Sequence, residues 1–597
     1  MREFEVPASY TIPDDANSSD TVFRHAEQSP DMVVFNVPNS GGGWRDVTAA
    51  EFAKTVTEVA KGLIASGLEL GQRAAIMAPT RYEWTVLDFA IWAAGGCTVA
   101  IYDSSSAEQA EWILQDSTTT LLVVDNDRHR KVIDEIQPGA LPNLREILQI
   151  DQGAVDELIA RGADVDDQVL RDRRAQVGAQ SPATLIYTSG TTGRPKGVML
   201  THSNLYAESA AARAALHNFV AEGRKTLMFL PLAHIFARII GLTAFEAKVI
   251  VAHTADWSTL VEQFASFKPD FILSVPRVFE KVFNSAKQKA YDDGKGKIFD
   301  AAASTAIAWS EAVDNGGPGL ALKLKHTLFD KLVYSKLRAA LGGKCETAVS
   351  GGGPLGARLG HFFRGIGVTI YEGYGLTETS AAATVNTPEH NRVGTVGRPL
   401  AGHAAKIADD GELLLRGEVV FGGYWGNSEA TEDAFEDGWF KTGDLGAIDA
   451  DGFITITGRK KEIIVTAGGK NVSPALLEDS LRAHPLISQV MVVGDGQPFI
   501  GALITLDPEA LPGWKQRHGV PDDTPIEKLV EQPDLIAEID TAVTETNKKV
   551  SHAEQIKKIR ILSTDWTQET GELTPKMSLK RAVAMKKYAD DVAKIYG

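Results

Sequence analysis

A run of glycines, hydroxyl side chains and one lysine at residues 187–198 constrains this chain more than any other stretch. An apolar segment before it predicts a buried strand, and the Ala-rich segment after it predicts a helix capped by Thr201 or Ser203. The glycines let the backbone turn sharply and approach an anion, and the hydroxyls, loop N–H groups and lysine suit a polyphosphate. The predicted layout is therefore strand, loop and helix, and its candidate phosphate-binding residues are Thr188, Ser189, Gly190, Thr191, Thr192, Gly193 and Lys196.

The spacing of this run does not match a Walker A loop, since Gly-x-x-x-x-Gly-Lys-Ser/Thr does not fit it. A surface turn of small polar residues is the other interpretation. It is disfavoured because three glycines, four hydroxyls and a lysine seldom occur together between a strand and a helix. A hydrolase nucleophile is unsupported, because neither Ser189 nor Ser350 lies in Gly-x-Ser-x-Gly.

Composition narrows the class of protein. The chain has 597 residues, too many for one hydrophobic core, so several subdomains are expected. Its 61 Lys and Arg against 78 Asp and Glu give a net charge of −17, which argues against a protein that coats nucleic acid. The cysteines, Cys97 and Cys345, are too few for a disulfide framework and fit a reducing compartment.

No signal-peptide pattern is evident at the N-terminus. The most apolar stretch, residues 239–252, is too short to span a bilayer and carries charges. These features predict a cytoplasmic protein without a transmembrane segment, and they leave open both peripheral contact with a membrane and self-association.

The order of strand and helix patterns predicts the fold class. Alternating segments over most of the chain predict an α/β fold with parallel strands. Short alternating strands from about residue 410 predict a β-rich subdomain, and beyond Gly458 the pattern becomes compact α+β. We therefore predict a large N-terminal domain of α/β sheet layers plus a β-rich subdomain (residues 1–458), and a small α+β C-terminal domain (residues 459–597).

A second run, residues 371–380, follows a predicted strand. Tyr374 lies between Gly373 and Gly375, so a bendable backbone presents an aromatic face that suits stacking on a planar base. Thr377 and Glu378 add oxygens beside it, and a hard cation bridging phosphates needs one or two such carboxylates. A packed aromatic and a solvated charge are the alternatives for each residue alone, but the run as a whole favours a site.

A third run, residues 439–445, places Asp444 in a predicted Gly-flanked turn. A carboxylate there can accept hydrogen bonds from both hydroxyls of a ribose, and a turn cap is an equally good interpretation of this motif alone. Arg459 and Lys461 follow at the predicted domain boundary, where a solvated basic turn is the alternative.

These runs, in this order, resemble those of the adenylate-forming superfamily of acyl-CoA synthetases, nonribosomal adenylation domains and firefly luciferases. The resemblance extends over about residues 44–581. Within that superfamily the chain is similar to the long-chain fatty acid–CoA ligases, through residues 231–238, 274–281, 350–355 and 461–474 and a helical insertion after residue 281. The resemblance implies that the C-terminal domain is mobile and swivels about a hinge at residues 459–461 between two half-reactions.

Site residues follow from the resemblance position by position. Thr188 to Lys196 would hold the ATP phosphates, with Glu378, and Thr188 beside it, as ligands of Mg²⁺. The remaining nucleotide contacts would come from Gly351, Gly352, Gly353, Tyr374, Gly375 and Thr377 near the adenine, and from Asp444 and Arg459 at the ribose. Lys461 would be the hinge, and His234 would border the acyl carboxylate.

The catalytic lysine of the small domain is assigned to Lys580, although the glycine that usually precedes it is replaced by Leu579. Lys576 is a second register, and a register fixed on Arg581 would place Ser578 at this position instead. Arg238 stands where some long-chain members carry a gating tryptophan, so the gating of the acyl channel is left open.

The implied reaction has two steps and uses ATP, Mg²⁺ and CoA. A fatty acid carboxylate attacks the α-phosphorus of ATP to give acyl-AMP and pyrophosphate, and the CoA thiol then displaces AMP. The alternatives are an acyl-AMP ligase that loads a carrier protein, and a non-catalytic nucleotide- or acyl-binding regulator.

Overall fold

The computed structural model describes residues 1–39, 41–188, 194–574 and 577–597. In these ranges the strands are β1 (Glu3–Val6), β2 (Val33–Pro38), β3 (Trp44–Thr48), β4 (Arg73–Met77), β5 (Cys97–Ile101), β6 (Leu121–Val124), β7 (Glu146–Gln149), β8 (Pro182–Thr188), β9 (Lys196–Thr201), β10 (Lys225–Met228), β11 (Ile250–His253), β12 (Phe271–Ser274), β13 (Thr347–Ser350), β14 (Thr369–Tyr374), β15 (Thr384–Val385), β16 (Arg398–Pro399), β17 (His403–Ile407), β18 (Glu412–Gly417), β19 (Gly423–Tyr424), β20 (Phe435–Glu436), β21 (Trp439–Ile448), β22 (Ile454–Arg459), β23 (Ile464–Val465), β24 (Asn471–Val472), β25 (Ile487–Val493), β26 (Ile500–Leu506) and β27 (Ile556–Leu562).

In the same ranges the α-helices are α1 (Asp20–Gln28), α2 (Ala49–Ala65), α3 (Tyr82–Ala93), α4 (Ala107–Asp116), α5 (Asp127–Asp134), α6 (Ala154–Arg161), α7 (Asp167–Ala175), α8 (His202–Leu216), α9 (Ile235–Glu246), α10 (Leu260–Phe267), α11 (Pro276–Asp292), α12 (Gly296–Asp314), α13 (Leu320–Phe329), α14 (Ser335–Ala340), α15 (Ala357–Gly365), α16 (Ser428–Ala434), α17 (Pro474–Arg482), α18 (Leu511–His518), α19 (Ile526–Leu529), α20 (Pro533–Asn547), α21 (Arg581–Lys587) and α22 (Ala589–Tyr596).

The predicted α/β class is confirmed. One sheet has the strand order β19-β9-β8-β5-β4-β6-β7, in which β8, β5, β4, β6 and β7 run parallel and β9 runs antiparallel to β8. A second has the order β12-β13-β14-β15-β16 with β12, β13 and β14 parallel, and a third has the order β10-β11-β2-β3. Helices cover these sheets, and buried aliphatic and aromatic side chains from all three join one core, as expected when parallel strands are buried on both faces.

The predicted β-rich subdomain is the sheet β1-β17-β18-β21-β20, with β22 paired to β21. Its first strand comes from the N-terminus, because Glu3 lies opposite Lys406 in the antiparallel ladder. The turn between β21 and β22 is a hairpin, in which the Asp449 N–H donates to the Phe453 carbonyl.

The residues after the predicted boundary form a separate hydrophobic core. Strands β25, β26 and β27 make one sheet, and α17 and α20 pack against it. Among the described residues, no buried core cluster includes side chains from both sides of residues 459–461. A large domain and a small C-terminal domain are therefore present, while the exact boundary stays a prediction.

One part of the predicted layout is wrong. The phosphate-loop candidates do not lie between a strand and a helix, because β9 follows them and returns antiparallel to β8 before α8 begins. Thr201 caps α8 as predicted, accepting from the Asn204 N–H, and Ser203 lies inside the helix. The N-terminus of α8, where the helix dipole is positive, is therefore separated from Lys196 by the length of β9.

Candidate active site

Two glycine- and tyrosine-bearing segments meet at the carboxyl edge of the sheet that contains β12, β13 and β14. Ser350 at the end of β13 is the register partner of Glu372 in β14, so Gly351 and Tyr374 leave neighbouring strands at the same edge. Ligands of α/β sheets bind at the carboxyl ends of parallel strands. The structure therefore brings together the residues predicted to contact adenine.

The Gly351 turn packs directly against the start of α9. A Cβ atom at Gly351 would lie 3.0 Å from the ring of Phe236, so a larger residue there would push that ring aside. The side chain of His234 caps the same helix, since its Nδ1 accepts from the Phe236 N–H at 3.1 Å. The predicted acyl-carboxylate residue and the predicted adenine turn thus share Phe236 as a neighbour.

Asp444 is held from two sides. The Tyr374 hydroxyl donates to its Oδ2 at 2.6 Å, and the Arg459 Nε lies 3.0 Å from its Oδ1. Burial, followed by the charge of Asp444, raises the pKa of Tyr374 well above its usual value, so the phenol keeps its proton and donates. The predicted ribose residues and the predicted adenine tyrosine form one connected group.

The position of Asp444 differs from the predicted turn. It lies within the long strand β21, and Arg459 is its direct partner in the neighbouring strand β22. The backbone is distorted there, because Gly443 has φ +73° and its N–H donates to the Glu412 carboxylate at 2.8 Å. A glycine at this position lets the strand bend without leaving the sheet.

Lys196 and Glu378 come together through a residue that the sequence did not indicate. Thr188 and Lys196 are register partners at the end of the β8–β9 pair where the chain passes from one strand to the other. The Lys196 ammonium lies 5.0 Å from the centre of the Tyr424 ring, and the Tyr424 hydroxyl donates to Glu378 Oε1 at 2.9 Å. The loop residues Ser189, Gly190, Thr191, Thr192 and Gly193 lie outside the described residues.

Gly375 and Thr377 connect this group to Tyr374. A Cβ atom at Gly375 would lie 1.4 Å from the Ala381 carbonyl oxygen, so only glycine fits at this position. Thr377 and Glu378 then form a 3-10 turn, and the Glu378 carbonyl accepts from the Phe421 N–H. The predicted base-stacking and cation residues are therefore placed next to one another by a tight backbone crossing.

Glu378 is compatible with a magnesium ion that bridges phosphates. Among the described residues its Oε1 accepts the Tyr424 hydroxyl and its Oε2 takes no hydrogen bond. No group of three or more potential ligands occurs in the described parts of the chain. Mg²⁺ that completes its octahedron with water and substrate phosphates needs only one or two carboxylates, so a single glutamate and Thr188 fit this mode.

A narrow cavity lies between α3 and α9, and its lining includes Leu232, two residues before His234. Its lining includes the aromatic residues Trp84 and Trp92 together with Gly241 and His253, and it has room for little more than one water molecule. Arg238 crosses one side of it. This buried arginine bonds Asp88 through two nitrogens, with an Nε to Oδ2 distance of 2.7 Å.

Aromatic rings hold the guanidinium of Arg238 in place. It lies 5.3 Å and 5.1 Å from the ring centres of Trp84 and Trp92, and it also donates to Thr184. These contacts to a carboxylate and two indole rings hold the Arg238 side chain in one conformation.

Of the predicted residues from position 459 onward, Arg459 lies at this site, whereas Lys461 and Lys580 are not brought to it. Lys580 is the residue before α21, its N–H donates to the Glu572 carbonyl, and its side chain is part-exposed. Among the described residues no hydrogen bond or ion pair joins it to the N-terminal site. Lys461 lies exposed in a short 3-10 turn, and Lys576 lies outside the described residues.

The domains meet elsewhere. Lys281 of α11 pairs with Glu509 at 2.8 Å, and Arg517 of α18 pairs with Asp292 at 2.8 Å. Both pairs are exposed or part-exposed, which makes them weak and easily exchanged with water.

Sequence reasoning missed two residues of the site. Tyr424 is 46 positions from its partner Glu378, and its signal was limited to an aromatic residue after two glycines. Glu372 lies within the run 371–380, and its position in that run indicated no role. It is buried, its carboxylate accepts from the Leu355 N–H at 2.9 Å, and burial raises its pKa to about 7.

Comparison with known proteins agrees with this geometry. Residues 22–425 match the model of the AMP-binding enzyme family, and residues 461–597 match the model of the AMP-binding enzyme C-terminal domain. The chain is 56% identical over 599 residues to the long-chain-fatty-acid–CoA ligases FadD15 of Mycobacterium bovis and Mycobacterium tuberculosis, with all of both chains covered.

Solved structures share the fold at lower identity. The anthranilate CoA ligase AuaEII in complex with anthranoyl-AMP has a TM-score of 0.72 and 20% identity, covering 98% of this chain and 99% of that one. The ATP-bound MatB from Rhodopseudomonas palustris has a TM-score of 0.69 and 22% identity, covering 96% and 99%. No helix among the described residues has the length and apolarity to cross a membrane.

Proposed function

Because the chain belongs to the AMP-binding enzyme family, we propose that it is an ATP-dependent long-chain fatty acid–CoA ligase. The observation that carries this proposal is the convergence of the groups Tyr374–Asp444–Arg459 and Lys196–Tyr424–Glu378 on one site beside His234. The FadD15 relatives support the choice of a long-chain acid as substrate and CoA as acceptor.

The reaction has two steps, and repulsion between anions is the main obstacle to the first. A fatty acid carboxylate attacks the α-phosphorus of ATP, the bond to the β-phosphate oxygen breaks, and pyrophosphate leaves. The thiolate of CoA then attacks the acyl carbon, and AMP leaves with the electron pair of the C–O bond. Anions must meet in the first step, so fixed positive groups at the phosphates lower its barrier.

Lys196 and Glu378 are the described groups suited to the phosphates. The ammonium of Lys196 lies over the Tyr424 ring, and this ring contact limits the positions available to a long flexible side chain. When bound, Mg²⁺ supplies charge that neutralises the phosphate oxygens and the departing pyrophosphate. Glu378 keeps Oε2 directed away from Tyr424, and Thr188 at the end of β8 is its proposed companion ligand.

Asp444 is suited to the ribose. Its two oxygens already take Tyr374 and Arg459, so the carboxylate is fixed in position before any ligand arrives. Gly351, Gly352 and Gly353 and the Tyr374 face would flank the adenine, with Gly375 and Thr377 holding the second segment in position.

His234 and the cavity between α3 and α9 are the proposed contacts of the acid. The Nδ1 of His234 is engaged by the Phe236 N–H, which fixes the ring at the start of α9. The cavity is lined by Leu232, two residues before His234, and by further apolar residues beside the Asp88–Arg238 pair. Since the cavity has little free space in this conformation, a long chain must displace side chains as it enters.

The C-terminal domain would complete the site in only one of its orientations. The weak pairs Lys281–Glu509 and Arg517–Asp292 allow the domain to leave the present contact at little cost. We place the boundary between residues 458 and 459 and the hinge at residues 459–461, where Lys461 is exposed. In the adenylating orientation Lys580 would reach the leaving phosphates.

The test separates the half-reactions. Lys580→Ala should lower acid-dependent pyrophosphate release with oleate by about 10²–10³ and spare thioester formation from supplied acyl-AMP. Lys586→Ala, at an exposed lysine of the same helix, is the matched control and should leave both steps unchanged.

Each other outcome has a definite meaning. Equal loss in both steps would refute the two-orientation proposal. No loss in either would move the assignment: loss in Lys576→Ala alone would select the Lys576 register, and no loss there either would favour the register that places Ser578 at this position. Release of acyl-AMP without acyl-CoA when CoA is present would instead identify a ligase that loads a carrier protein.

We also place the protein in the cytoplasm. The described residues contain no membrane-spanning helix, and Cys97 and Cys345 are buried free thiols, which agrees with a reducing compartment. Peripheral contact with a membrane belongs to the same proposal, because long-chain acids partition into lipid.

A further inference from the structure

Helix α13 exposes a row of leucines that the rest of the described chain leaves uncovered. Leu320, Leu324, Leu328 and Leu332 have exposed fractions of 82%, 75%, 56% and 48%, and α13 contains no buried residue. Single exposed leucines are ordinary, but four in register form a continuous apolar surface that a soluble monomer rarely presents. We call these four residues the leucine row.

The helix geometry keeps the row on one face. Residues four apart lie about 40° apart around an α-helix, so Leu320, Leu324 and Leu328 occupy an arc of about 80°. On a regular α-helix the next leucine of the row, Leu332, would be rotated further about the helix axis, away from Leu320. Asp330–Tyr334 is instead a π-helical turn, which has more residues per turn and rotates Leu332 back toward the row.

The opposite side of this segment explains its orientation. His326 stacks on Trp309 with ring centres 4.0 Å apart, and the Tyr334 hydroxyl donates to the Ala302 carbonyl at 2.7 Å. These contacts attach the segment to α12 through its inner face. The leucines therefore point outward because the helix is anchored, and the anchor does not depend on them.

Lysines border the row on both sides. By the same helical geometry, Lys323 lies about 60° before the leucine arc and Lys325 about 60° beyond it. Lys331 and Lys336 follow, and all four are exposed and take part in no ion pair among the described residues. Asp330, the one acidic residue from 319 to 338, is already paired with Arg338 at 2.7 Å.

We propose that the leucine row and its bordering lysines dock the enzyme on an anionic lipid surface. An apolar face flanked by lysines inserts its leucines below the headgroups while the lysine stems lie along the boundary and their ammonium groups meet lipid phosphates. The charge of this segment is opposite to the net charge of −17 of the whole chain, so it marks the side that an anionic surface attracts. The reason for such docking rests on the proposed function, because a long-chain acid is concentrated in lipid.

The experiment uses the full chain and measures binding to vesicles, which does not require activity. The vesicles are phosphatidylglycerol with phosphatidylcholine, or phosphatidylcholine alone. The protein should co-sediment with the anionic vesicles and detach at high salt, since screening weakens the lysine contribution.

Variants separate the two contributions. Replacing Leu320, Leu324 and Leu328 by Ser together should weaken binding by about 100-fold or more. Lys323→Gln with Lys325→Gln should weaken it about 25-fold on anionic vesicles, at about fivefold per lysine, and hardly at all on neutral ones. Leu476→Ser, at a leucine of α17 that is 54% exposed, is the matched control and should bind as the parent does.

The outcomes distinguish this proposal from the ligase function. Unchanged vesicle binding in the triple leucine variant would overturn the docking surface, whatever the activity. Binding without any acyl-CoA formation from either oleate or octanoate would keep the surface and refute the ligase. A parent dimer that dissociates in the leucine variant, without vesicle binding by either, would show that a second copy covers the row instead.

Discussion

Two arginine–aspartate pairs of the large domain differ in what surrounds them. Arg238 and Asp88 are both in the core, with exposed side-chain fractions of 4% and 5%. Asp444 is equally enclosed at 4%, but its partner Arg459 is 50% exposed. Neither side chain of the first pair is in contact with solvent, whereas the second pair keeps one partner in contact with it.

The difference separates a structural pair from a binding pair. Asp88 uses both oxygens on Arg238 and also accepts from Thr98, so removing either charge would strand the other in an apolar region. Arg459 can be rehydrated if Asp444 is lost. A carboxylate held ready at the edge of solvent can exchange part of its hydrogen bonding for a ligand, and a fully enclosed one cannot.

The largest effect is expected at the enclosed pair. Asp88→Ala should lower the free energy of unfolding by about 3–5 kcal/mol, measured by urea denaturation. Asp314→Ala breaks the half-exposed pair with Arg364 and should cost less than about 1 kcal/mol. The double variant Asp88→Leu with Arg238→Met should recover much of the loss, and a cost at Asp88 as small as at Asp314 would contradict the distinction.

A third buried carboxyl, Glu372, sharpens the comparison because it has no arginine partner. Burial raises its pKa to about 7, the Leu355 N–H bond opposes this shift, and the charge of Asp479 adds to it. Between its ordinary pKa and 7 the unfolded chain is ionised while the folded chain keeps the proton. Stability should therefore fall as the pH rises through this window.

The expected size of the Glu372 contribution is about 3 kcal/mol. Glu372→Gln should flatten the dependence of unfolding free energy on pH between about 4.5 and 7.5, measured by denaturation at several pH values. Glu436→Gln, at an exposed position, should leave the curve as it is. A curve that is equally steep in Glu372→Gln would mean that this group is ionised in the fold.

The solvent-facing pair should affect activity more than stability. Asp444→Ala removes the proposed acceptor for the ribose hydroxyls and should reduce ATP–pyrophosphate exchange about 100-fold, with a higher KM for ATP. The loss of unfolding free energy should stay well below that of Asp88→Ala. Asp409→Ala, at an exposed aspartate paired with Arg2, serves as the control. A large stability loss with unchanged exchange would reverse the roles of the two pairs.

The smallest expected effect concerns the cavity beside Arg238. Gly241 lines it, and a Cβ there would have its nearest neighbour, the Met228 methyl, at 4.0 Å. Gly241→Ala should fold normally, because its methyl group meets no atom closer than 4.0 Å, and it should narrow the space, lowering kcat/KM for oleate about 10-fold while that for octanoate changes less than about twofold. An equal fall for both acids would indicate that the acyl chain passes elsewhere.

The sequence was most informative where neighbours in the chain are also neighbours in space. The Tyr374–Glu378 run is held together by its own backbone, and Asp444 and Arg459 face each other across one hairpin, so both could be predicted from motif order. Strand β9 was missed because the glycine and lysine at its start look like the end of a loop.

Partners distant in sequence could not be predicted. Arg238 is 150 positions from Asp88, and only the packing of α3 against α9 brings them together. Tyr424 reaches Glu378 because β19 pairs with β9, a pairing that no local pattern signals. Hydrophobic periodicity predicts which face of an element is buried, and it does not say against which other element that face will pack.

The pairing of the N-terminal strand β1 with β17 has a consequence during biosynthesis. Its partner residues lie about 400 positions further along the chain, so they leave the ribosome roughly 20–80 s later at ordinary translation rates. Through that interval Glu3–Val6 has no partner strand, and the β-rich subdomain can close only after the nucleotide-binding sheets have been made. A bulky tag fused directly before Glu3 would therefore hinder the pairing of a strand that is synthesised long before its partner.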